Sequence, residues 1–107
     1  MALNFRMSVQ RSSAGLNLKL VGDFDGTSAY ELLNVLAEGC DGAGKAVIDT
    51  KGLQRVYPFG VDTFHKNIHV LKGVPSGLVF TGEKAATIAP ERKNFLSVRI
   101  VHPHSQL

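Results

Sequence analysis

The chain has 107 residues, a formal charge of +3 and a sequence pI near 9.3. That length suffices for one packed core without staples, and 44% apolar with 20% charged residues is ordinary for a soluble globular domain. No apolar run reaches the length of a membrane span, and the N-terminus lacks the apolar block of a signal peptide.

In chain order, Phe5, Met7 and Val9 alternate with Arg6, Ser8 and Gln10, the period of a half-buried strand. Turn-forming residues over 11–15 lead to Leu16, Leu18 and Leu20, which alternate with Asn17 and Lys19; an opening hairpin is expected. Residues 22–26 read as a loop into a first helix. Ser28 and Glu31 have capping-box spacing, and Ala29, Leu32, Leu33 and Leu36 make its core-facing side. A glycine-rich stretch over 38–44 ends it.

The trio Ala46-Val47-Ile48 marks a buried strand over 45–50, followed by a polar turn. A second helix is expected after Val56, with Val61, Phe64, Ile68 and Leu71 inward, stopped by Gly73 and Pro75. Leu78-Val79-Phe80 is a further strand, 83–89 a short helix, 97–101 a last strand and 102–107 a frayed tail. The chain is thus one α/β domain spanning 1–107, in the order β-β-α-β-α-β-α-β. Helices between strands imply a mixed, mainly parallel sheet with three helices, part of one sheet face staying uncovered.

Chemistry-bearing patterns are sparse. Asp23 and Asp25 before Gly26 resemble the start of a calcium loop, but the twelfth position is Asn34 rather than glutamate, and a polar loop whose negative charge helps initiate the helix is the expected reading. His65 and His69 lie one helical turn apart, yet Lys66 stands where a zinc-protease helix carries glutamate. Cys40 is at a helix end, where a thiolate is not stabilised, and being alone it forms no internal disulfide. Neither a nucleophile elbow nor a phosphate-binding glycine loop is present. The basic residues are scattered, only Arg92 and Lys93 being adjacent, so nucleic acid is not an expected partner. No catalysis, metal or cofactor is expected; a bacterial-type cytoplasm is the expected setting, without direct membrane insertion.

The span from about Leu16 to Val101 resembles the STAS family, which includes bacterial anti-sigma-factor antagonists and cytoplasmic domains of sulfate transporters. Leu20-Val21-Gly22-Asp23-Phe24-Asp25 looks like the family's strand ending in a glycine and acidic turn. The segment from Lys45 through Asp49-Thr50-Lys51-Gly52 to Leu53 looks like its central strand, ending in an aspartate, a small polar residue and a glycine turn. The family's aspartate-serine-any-glycine motif, at the start of the second helix, falls on Tyr57-Pro58-Phe59-Gly60; only the glycine is kept. The resemblance implies a non-catalytic interaction module whose partner contact is Tyr57, Pro58, Phe59, Gly60, Asp62 and Thr63. Pro58 has no hydroxyl, so the usual phosphoserine switch is gone, while proline still suits the first helical turn. Thr63 is the first substitute phosphosite to consider.

The partner implied is a serine-kinase anti-sigma factor or the ATPase of a lipid-transport system. The other reading is a small-ligand domain for nucleotide or lipid, with a crevice beyond the strand ends near Thr50, Thr81 and Glu83. Self-association into a homo-oligomer is left open by the sequence.

Overall fold

Leu16, Leu18 and Leu20 are buried while Asn17 and Lys19 between them face outward, so the period-2 pattern sets which side of the sheet becomes the core. The computed structural model of the chain describes residues 4–13, 15–39, 44–70, 75–91 and 97–101. Its elements are β1 (Arg6–Ser12), β2 (Gly15–Phe24), α1 (Gly26–Gly39), β3 (Lys45–Val56), α2 (Pro58–Ile68), β4 (Gly77–Thr81), α3 (Ala85–Ile88) and β5 (Ser97–Val101). The order is the one expected from the sequence.

The strands form one sheet in the order β1-β2-β3-β4-β5. β1 pairs antiparallel with β2, and every later pair is parallel. Each crossover from β2 onward therefore steps to the next strand in the same direction. Right-handed connections then place the described helices on one face of the sheet, and no described helix covers the other. Burial agrees: Leu18, Ile48 and Phe80 face the helices with at most 2% exposure, while Lys19, Asp49 and Thr81 are on the open side.

Between the sheet and the helices lies the core. Leu32, Leu33 and Leu36 enter it from α1, and Phe64 and Ile68 from α2. Four phenylalanines run through it in edge-to-face contacts. Phe5 meets Phe24 at 6.3 Å, Phe24 meets Phe64 at 6.4 Å, and Phe64 meets Phe80 at 6.2 Å between ring centroids. That geometry favours a ring's positive edge against its neighbour's negative face.

The element bounds differ from the sequence reading in physically intelligible ways. Residues 22–24, expected in a loop, continue β2, and 51–56, expected as a turn, continue β3. The two polar extensions pair with each other: Val21 with Gly52, Gly22 with Leu53, Asp23 with Arg55 and Phe24 with Val56. Two register shifts interrupt that ladder, between Lys19 and Val21 and between Gly22 and Asp23, so hydrophobic alternation fails there although pairing does not. α3 contracts to Ala85–Ile88. Cys40, Leu71, Gly73 and the 102–107 tail lie outside the described residues.

Candidate functional site at the start of α2

The long β2–β3 ladder ends by launching two helices side by side. The Tyr57 amide donates to the Phe24 carbonyl at 2.9 Å, and α1 and α2 begin immediately after. Tyr57 is extended (φ −91°, ψ 137°) and makes no side-chain cap hydrogen bond; Pro58 occupies the first helical turn. Its missing N–H costs nothing there because an N–H at that position would have no intrahelical acceptor.

Gly60 explains how closely the two helix starts approach. A Cβ at residue 60 would lie 2.7 Å from the Asp25 carbonyl carbon and 2.8 Å from its Cα and O. The backbone of Asp25 thus fills the place of a side chain. Next to it, the Phe59 ring lies over Gly26, where a Cβ would be 2.9 Å from the ring. Phe59 is nonetheless 73% exposed and Tyr57 40%. Tyr30, one turn beyond Gly26 on α1, is 54% exposed. Exposed aromatic side chains thus stand on both helices near their starts, with Phe59 of α2 packed over Gly26 of α1. Arg55 flanks them, its guanidinium pushed up first by the Tyr57 hydroxyl and then by the Asp23 carboxylate.

Asp25, not Ser28, caps α1: its Oδ1 accepts the Ser28 amide at 3.0 Å. The sequence reading placed Ser28 at the cap because of Glu31. In the fold Ser28 is fully buried, and its hydroxyl donates to the Asp23 carbonyl at 2.8 Å and lies 3.1 Å from Asp25 Oδ1. Burial pushes the Asp25 carboxyl up while hydrogen bonds from the Ser28 amide and hydroxyl pull it down, and on balance its pKa falls below the ordinary 3.8. A lowered carboxyl pKa stabilises the fold fully above the ordinary value and ceases to do so as pH falls through the lowered one. Asp25→Ala is expected to cost about 1 kcal/mol at pH 7. Asp25→Asn keeps the cap but loses the charge; its deficit, read by thermal unfolding, is expected to fade on acidification below pH 3.8.

Thr63 is 7% exposed, and its hydroxyl donates to the Phe59 carbonyl at 2.8 Å. A modifying enzyme would reach it only after the first turn of α2 opened. Asp62 is exposed on the same turn. The other set, Thr50, Thr81 and Glu83, is also brought together in part: the fully buried Thr50 hydroxyl donates to the Thr81 carbonyl at 2.7 Å. Gly82 (φ +97°) closes over it, a Cβ there lying 2.7 Å from both Thr50 Oγ1 and the Lys51 amide nitrogen. The Thr50 hydroxyl is thus committed to the fold, while Glu83 is exposed beyond it.

His65 Nε2–H donates to the Ile88 carbonyl at 2.9 Å, tying α2 to α3. Among the described residues no group of His, Cys, Asp and Glu is arranged to hold a metal ion. Nor is any helix there long and apolar enough to cross a membrane. The contact of Gly26 with Phe59, and the exposed Tyr30 on α1, were not part of the motif reading. Tyr30 was legible as the aromatic lying off the Ala29-Leu33-Leu36 side of α1, whereas the Gly26–Phe59 contact joins residues distant in sequence.

No protein-family model matches the chain, and no curated protein does. A solved structure of an uncharacterized protein from Shewanella loihica PV-4, of the DUF3478 family and described as having a SpoIIAA-like fold, superposes with a TM-score of 0.56. It is 16% identical, and the match covers 97% of this chain and 91% of that one. The SpoIIAA-like fold is the STAS fold, so the architecture expected from the sequence is the architecture found.

Proposed function

We propose that the chain is a non-catalytic protein-interaction module of the STAS type, binding its partner through the apolar corner of Tyr57, Pro58 and Phe59. The observation that carries this reading is the position of Phe59. A phenylalanine 73% exposed on a helix start, itself pinned by Gly60 against Asp25, presents a pre-organised anchor. Binding it costs little conformational entropy, and exposed aromatic anchors of this kind commonly dominate interface energies. Asp62 on the outer side and Arg55 beside Tyr57 supply a polar rim.

With proline at the second motif position and the Thr63 hydroxyl buried, the contact is constitutive rather than switched by phosphorylation at this place. The expected partner is the kinase-like regulator or transport ATPase that the STAS resemblance implies. Affinity capture with the intact chain, followed by titration of the captured partner, tests this. Pro58→Arg combined with Phe59→Asp is expected to abolish capture while leaving thermal stability nearly unchanged, since both side chains are exposed. Capture indifferent to the double substitution would refute the assigned surface.

A further inference from the structure

The sheet face opposite the described helices is not flat. A concavity of about 390 Å³ lies on it, bounded by residues of β1, β2, β3 and β4. The volume is in the range of small-molecule sites. The strand registers order its lining into two adjacent rows. One row runs Ser8, Lys19, Asp49, Thr81; the next runs Gln10, Asn17, Val47. A hydroxyl, an ammonium, a carboxylate and a second hydroxyl thus stand side by side, next to two amides and an aliphatic floor.

These groups are not consumed by the fold. The Ser8, Gln10, Asn17 and Lys19 side chains make no hydrogen bond or ion pair among the described residues. Lys19 and Asp49 are cross-strand partners, yet they form no ion pair with each other. Asp49 is oriented instead by the Lys51 amide, which donates to its Oδ1 at 2.9 Å, and a carboxylate retains further acceptor capacity after one such bond.

We propose that this concavity binds a zwitterionic α-amino acid with a small aliphatic side chain. Parallel neighbours stand about 4.8 Å apart. Over that spacing one α-carbon can offer its carboxylate to Lys19 and its ammonium to Asp49, with its side chain over Val47. Ser8, Asn17 and Thr81 supply the remaining donors and acceptors. Competing ligand classes fit the lining worse. Among the described residues the lining holds no aromatic ring on which a nucleobase could stack and Lys19 as its one cation for a polyphosphate, while Val47 and the almost fully buried Leu18 offer little apolar surface for an acyl chain. The site is on the face opposite the helices, away from the α2 contact, and it shares Thr81, the last residue of β4, with the crevice at Thr50.

Titration of the labelled full chain with L-valine and L-leucine, followed by amide NMR, tests the site. Saturable shifts are expected at Asn17, Lys19, Val47 and Asp49 at millimolar ligand. L-leucinamide, which lacks the carboxylate, and N-acetyl-L-leucine, which lacks the ammonium, are each expected to bind about tenfold more weakly or worse. Lys19→Gln and Asp49→Asn are expected to weaken L-leucine similarly while both variants keep a native-like spectrum; the asparagine retains the acceptor for Lys51. No shift by about 10 mM of either amino acid overturns the proposal. So does equal binding of the capped forms, or a response only to inorganic phosphate or glucose run in parallel. Binding unaffected by Lys19→Gln would likewise overturn it.

Discussion

Phe64→Ala is expected to destabilise the protein by about 3–5 kcal/mol. Phe64 is fully buried and stands between Phe24 and Phe80, at 6.4 Å and 6.2 Å, so its loss empties the middle of the aromatic series. The cavity would open between α2, β2 and β4, elements whose backbones are held by their own hydrogen bonds and cannot collapse inward cheaply. In a domain of this size each kcal/mol shifts Tm by roughly 4–8 °C, so a fall of about 12 °C or more is expected. Phe64→Leu, which refills most of the volume, should recover over half of the loss. A Tm within a few degrees of the parent's for Phe64→Ala would contradict the packing described.

Gly60→Ala is the second large effect, and it acts by crowding rather than by a void. The added methyl meets the Asp25 backbone at 2.7–2.8 Å, a contact that no side-chain rotation relieves. The start of α2 must therefore retreat from the start of α1, at a cost of about 1–3 kcal/mol. An exposed glycine inside a helix would behave oppositely, gaining stability on conversion to alanine. The sign of the change, read by chemical denaturation, is therefore diagnostic. Displacement of the Phe59 anchor should weaken partner binding as well, linking fold and site in one substitution.

Much of the architecture was legible because leucine and phenylalanine periodicities survive translation into this fold. Leu16-Leu18-Leu20 announced β2, and the Phe64–Ile68 spacing announced α2. The extensions Gly22–Phe24 and Lys51–Val56 were not legible. Their pairing is interrupted by register shifts and their side chains are mostly polar, so backbone hydrogen bonds hold them where pattern carries no signal. The capping residue of α1 was misassigned for a related reason: the capping-box spacing at Ser28 is real, but β2 runs on to Phe24 and hands the cap to Asp25. At the site, motif alignment found Tyr57, Pro58, Phe59 and Gly60. It could not find Gly26, whose role depends on Phe59 crossing from another helix. The concavity on the face opposite the described helices was invisible for the same reason: its lining comes from four strands whose register emerges only on folding.

The most direct measurement of the central claim is the affinity of Phe59→Asp for the captured partner, compared with the parent chain at matched thermal stability. The account predicts a loss of at least about 30-fold, the effect of deleting an interface anchor worth roughly 2 kcal/mol. It also predicts that phosphatase treatment leaves the parent's affinity unchanged. Equal affinity of the two chains, or binding that depends on a phosphorylated residue, would contradict it.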